Sequence, residues 1–183
     1  MKQFVQIFTG LMMILLILTY TSCKNNSGDL RQSKVDSLAY SLKNIEERLN
    51  IDLNDLKVEV SKMEKTHRLL KVQDTGISLE MGVMLDQYRN EIRIFKAVIE
   101  HQEDLNKELK ELKEQLKNLL YSLKENKLDE ASFVKVYEKE RADVENLNEL
   151  MNEIIFPYET VQSEHLRIAP KIEEYATKFA TEK

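Results

Sequence analysis

At 183 residues, with 27 Lys and Arg against 32 Asp and Glu, the chain carries a formal net charge of −5. That balance gives no basic footprint for nucleic acid, and the lone cysteine, Cys23, excludes an intramolecular disulfide. Tryptophan is absent, Glu, Lys, Leu and Asn abound, and the breakers after Cys23 are only Gly28, Gly76, Gly82, Pro157 and Pro170, a composition of long helices.

The chain opens with Lys2 and then a run from Phe4 to Tyr20 that is almost wholly apolar, with "LMMILLIL" at its centre. Thr21 and Ser22 follow, small and polar, before Cys23. A positive start, an apolar stretch and small residues form a secretory signal. As a helix this run would rise only about 25 Å, short of a hydrocarbon core of about 30 Å, so a permanent single-pass anchor would be strained.

The segment "LTYTSC" resembles the lipobox of bacterial lipoproteins, in the looser form found among Bacteroidota. Ser22 and Thr21 fit the positions before the cysteine, while Tyr20 stands where that family usually has Leu. The resemblance covers residues 1–23 and implies cleavage before Cys23, a diacylglycerol on its sulfur and acyl chains such as palmitate. It implies an envelope location with the outer membrane favoured, since Lys24 is unlike an inner-membrane retention signal. Asn25 and Asn26 replace the acids that resemble a surface-export signal, so the leaflet stays open. The expected organisation is a signal peptide over 1–22, a lipidated cysteine with a polar tether over 23–29, and one helical domain over 30–183.

Within that domain three apolar lines recur at heptad spacing. The first passes through Val35, Leu38, Leu42, Ile45, Leu49, Leu53, Leu56, Val60 and Met63. Its extra four-residue step between Leu42 and Leu56 is a stutter that would locally unwind a supercoil. The second runs from Met81 to Leu123, interrupted only by Glu91 and Gln102. The third runs from Phe133 to Phe179 and keeps its phase across both prolines. "VQDTGIS" offers Asp74, Thr75 or Ser78 as an N-cap, and "ENKLDEASF" offers Asn126 as a helix end with Asp129 as the next cap. Leu128 and Phe133 stand at the two staple positions around that cap.

The fold expected from these signals is all-α: an elongated up-down-up antiparallel coiled-coil bundle of three helices near 30–71, 75–125 and 129–181. The third helix is expected to kink at Pro157, with Pro170 a second candidate. The outline resembles a spectrin-type three-helix coiled coil, a likeness of architecture that carries no function. Self-association is open to any such heptad chain.

The polar residues on these lines are the candidates for chemistry. "EKTH", Glu64 to His67, matches the Glu-x-x-His step of di-iron bundles, but neither His101 nor His165 has a Glu three residues earlier. The three histidines do not converge in an antiparallel register, so no metal or other cofactor is expected. His67 and His165 read as partly buried neutral imidazoles, and Glu91 and Gln102 as register-setting polar residues. No phosphate loop or nucleophile motif appears, and no catalytic residue is expected.

Leu85, Ile92 and Ile99 form a second apolar line on one half of the middle helix, where Ile155 and Tyr158 would meet it from the third. They are the expected partner-binding residues if that half is a groove, and core if it closes. The expected function is a non-enzymatic, membrane-anchored adaptor or spacer that binds an envelope protein. The alternative is an extracytoplasmic helical chaperone or hydrophobic-ligand bundle.

Overall fold

The computed structural model describes residues 23–71 and 77–181, and every regular element among them is a helix. There are four: α1 (Cys23–Leu49), α2 (Leu53–Lys71), α3 (Leu79–Lys124) and α4 (Glu130–Thr181). The signal segment 1–22 lies outside the described residues, as does the side chain of Cys23. The backbone over 23–29, expected as a tether, is the first part of α1.

The three-helix expectation is therefore corrected to four, because the first long helix is broken at Asn50–Asp52. The break falls within the stutter, and local chemistry fixes it. Asp52 Oδ1 accepts the backbone N–H groups of Asn54 (2.8 Å) and Asp55 (3.2 Å), which makes it the N-cap of a new helix. Gln102, from the middle of α3, donates its amide to the carbonyls of Leu49 (2.6 Å) and Ile51 (3.0 Å). It satisfies acceptors that the end of α1 would otherwise leave bare. Two seam phases thus meet at a joint instead of being averaged by unwinding.

Cross-helix pairs give the topology. Arg31 reaches the Leu128 carbonyl at 3.4 Å, Lys113 pairs with Glu46 at 2.7 Å, and Lys96 pairs with Glu64 at 2.5 Å. So α1 and then α2 run antiparallel to α3. Arg48 with Glu159 (2.7 Å) and Lys62 with Glu173 (2.6 Å) place α4 parallel to α1 and α2. The pattern is up in two pieces, down, and up, and α4 alone would span about 78 Å at 1.5 Å per residue.

The turn between α3 and α4 follows its sequence signals. Asn126 takes a left-handed φ of 50°, a conformation asparagine tolerates better than most residues. Asp129 Oδ1 caps α4 by accepting the N–H of Ser132 at 2.7 Å. Phe133 is fully buried, stacks on Tyr137 at 5.6 Å and lies under the Arg31 guanidinium at 5.7 Å. At the other end Ser78 caps α3, accepting from Met81 N at 3.2 Å; Asp74 and Thr75 lie outside the described residues. The middle seam is buried from Met81 through Leu119, apart from the half-buried Met84, with Glu91 and Gln102 in it. Helix α4 passes through Pro157 and Pro170 without interruption, each proline removing one N–H from the ladder.

Candidate functional site

Two polar seam residues meet in the core. Glu91 on α3 and His165 on α4 are both buried, and His165 Nδ1 lies 2.9 Å from Glu91 Oε2. The other ring nitrogen, Nε2, lies 3.2 Å from Oε1 of Glu59 on α2. An ionised carboxylate only accepts, so bonding to both requires two N–H donors, and only the imidazolium has two. The hydrogen bond to Glu91 leads, the charges of Glu91 and Glu59 add to it, and together they outweigh burial and hold the imidazole pKa above its ordinary value. The balance at His165 is thus moved from the expected neutral imidazole towards the protonated form, because its two neighbours are carboxylates brought in by other helices. His67 differs, since burial first, then Arg89 and Lys71, lower its pKa and keep it neutral.

Aromatic rings enclose this imidazole. Tyr88 stacks on His165 with centroids 6.1 Å apart and planes 10° from parallel. Phe95 meets it edge-on at 5.2 Å and also meets Tyr158 at 5.1 Å. Ring faces attract a cation, the more so where water is excluded. The Tyr88 hydroxyl is buried without a well-formed hydrogen bond. Desolvation, then Glu173, Glu59 and Glu91, push its pKa above the usual phenol range, and nearby Thr66 only tempers this. With both nitrogens engaged, His165 has no free lone pair for abstracting a proton. The arrangement is a clamp across α2, α3 and α4.

Beside the clamp a groove of about 1020 Å³ opens over the α1–α2 break. Phe95, Tyr158 and His165 form part of its lining, with Ile51 from the break, Leu56 from α2 and Leu166 from α4. Arg48 crosses one edge, bidentate to Glu159 at 2.8 and 2.7 Å and bonded to Asn152 at 2.9 Å. Lys62 and Glu173 pair at another.

Of the five expected partner-binding residues, Tyr158 lines this groove. Ile155 is fully buried, Ile92 and Tyr158 are buried, and Leu85 and Ile99 are half-buried against the core. Glu59 was not marked by the periodicity, because it lies off the seam and reaches in from the flank of α2. Glu91 and His165 carried a readable signal: they stand 37 residues before and 37 after Leu128 in the α3–α4 turn, so the hairpin folds one onto the other.

Among the described residues no group of three or more His, Cys, Asp or Glu is placed to hold a metal ion. Glu64 of "EKTH" is committed to Lys96. No described helix is long and apolar enough to cross a membrane. No protein-family model, curated protein or solved structure matches this chain.

Proposed function

We propose that this chain is a non-enzymatic interaction protein of a bacterial envelope, an adaptor or spacer held to the membrane through acyl chains on Cys23. The observation that carries the reading is "LTYTSC" after the apolar run, in a chain with no other cysteine. Two or three acyl chains give stable attachment where one does not. Lys24 after the cysteine favours the outer membrane over retention at the inner one. A body of long capped helices suits presentation of a surface away from the bilayer. The test is Cys23→Ser with radioactive palmitate. Wild type should label and partition with membranes; the variant should do neither. Labelling of the variant, or its absence from wild type, rejects the anchor.

The size of the groove beside His165, taken without its charges, is what supports a second reading, a chaperone or hydrophobic-ligand bundle. About 1020 Å³ is at the upper end of small-ligand pockets, which run roughly 300–1,000 Å³. A chaperone should suppress aggregation of many unfolded clients at stoichiometric ratio, whereas an adaptor should recover one or two folded partners.

A further inference from the structure

The charges lining the groove are unbalanced. Six carboxylates border it, Glu47, Asp52, Asp55, Glu59, Glu159 and Glu173, against the fixed cations Arg48 and Lys62 and the imidazole of His165. Arg48 is committed to Glu159, Lys62 to Glu173 and His165 to Glu59. The excess therefore gathers at the α1–α2 break, on Glu47, on Asp55 and on Asp52, whose Oδ1 caps α2 and whose charge has no side-chain cation beside it among the described residues. Glu47 has Lys43 at 3.7 Å, one turn earlier and on the exposed surface, and Asp55 enters no ion pair among the described residues. Facing this acidic edge, the apolar part of the lining is Ile51 and Leu56 with Tyr158 and Leu166 of α4, and Gln162 between the last two donates to the Tyr158 hydroxyl at 2.6 Å. Leu166 leaves 77% of its surface in water, a cost that covering it would remove. Pro170, on the same wall, has no N–H to return to the Leu166 carbonyl, so this wall also has an acceptor without its helical donor.

We infer that the groove over the α1–α2 break is a docking site for a cationic amphipathic peptide segment of a partner protein, its apolar face on Ile51, Tyr158 and Leu166 and its lysines or arginines along Glu47, Asp52 and Asp55. Charge complementarity decides the occupant. An acidic or neutral segment would leave the acidic edge desolvated and unpaired, and a purely apolar ligand would bury those carboxylates for no return. An amphipathic helix laid in a groove is a recurrent way to meet both demands. The inference deepens the adaptor reading by naming the chemistry of its partner, and it can fail separately from the anchor.

The test uses the full chain in neutral detergent micelles, so that the result does not depend on lipidation. The probe is a fluorescein-labelled amphipathic peptide with leucines on one face and lysines on the other, set against the same peptide with glutamates for lysines. The lysine peptide should bind, and affinity should fall with added salt. Asp55→Lys should weaken it by about tenfold or more, and Leu166→Ala should weaken it several-fold. Both positions are exposed, so Leu166→Ala should melt near wild type, and Asp55→Lys, a cation in the first turn of α2, should melt only slightly lower and stay folded at the assay temperature. Glu111→Lys, an equal charge change on an exposed position of α3 outside the groove, should leave binding unchanged. Equal loss in Asp55→Lys and Glu111→Lys would mean attraction to net charge alone and would overturn the site. Binding of the glutamate peptide, or no binding of either, would overturn it too. Self-association that Asp55→Lys abolishes would make a second copy the occupant and reject the cationic segment.

Discussion

Removing the imidazole of His165 should be among the most damaging single changes in this molecule. The Glu91 side chain is 3% exposed and that of His165 is 11% exposed, so His165→Phe strands a carboxylate among Tyr88, Phe95 and the apolar seam. Breaking a buried pair by deleting one partner costs about 3–5 kcal/mol, against about 5–15 kcal/mol for a whole domain. Phenylalanine is chosen because it keeps a ring between Tyr88 and Phe95, which limits the cavity contribution. The double change Glu91→Gln with His165→Phe removes the stranded charge and should recover much of the loss. The pH dependence gives a second reading of the same contact. The folded-state pKa of His165 is raised, so its stabilisation is fully present below its unfolded value of about 6.5 and is lost as pH rises through the folded value. The titratable groups facing it are Glu59 from α2 and Tyr88 and Glu91 from α3. Urea unfolding followed by circular dichroism, at several pH values from about 5 to 9, measures both effects. Wild type should lose stability over the upper part of that range, and His165→Phe should not show that component. A loss below about 1 kcal/mol for His165→Phe at neutral pH, or the same pH slope in both proteins, would refute the clamp.

Gln102→Met keeps the side-chain length but deletes both bonds to the α1 end, and should cost about 1–3 kcal/mol. Hydrogen exchange should speed up at Asn50–Asp52 before it does so elsewhere, and unchanged protection there would refute the role assigned to Gln102. The carboxyl of Asp129 is held below its usual range by the Ser132 N–H. Its capping contribution is therefore present above the unfolded value of about 3.9 and fades as pH falls through the folded one. Asp129→Ala should lower the melting temperature at neutral pH and narrow its gap to wild type in strong acid, and a constant gap would contradict the cap.

The seams and caps of this fold were legible because they depend on neighbours in sequence. Every second-line residue from Met81 to Leu119 that spacing assigned inward is buried except Met84, which is half-buried. Ser78 and Asp129 cap the helices they precede. The break at Asn50–Asp52 was visible only as a stutter. Whether a stutter unwinds or breaks depends here on Gln102, 53 residues from Leu49, and no local pattern contains that contact. The clamp was half legible. Glu91 and His165 stood out as polar residues on apolar lines, but the charge state of His165 depends on the pairing of three helices. Glu59 is the part no periodicity marks, since it lies off the seam and finds the imidazole only once α2 has its own phase. The groove follows from the same break, so a reading built on three unbroken rods reached only Tyr158 of its lining as a partner-binding residue.

That break also divides the molecule by its tolerance to length change. Inserting one residue within α3 or α4 rotates everything beyond it by about 100°, turning a seam such as Phe95, Val98 and Leu105 out of the core. Inserting one beside Asn50, which is exposed, rotates no ladder, because α1 has ended and Asp52 starts α2 afresh. The joint works as a phase coupling: each half of the first strut keeps its own angular setting against α3. A lineage could lengthen or shorten the chain there while the heptads on either side kept their register.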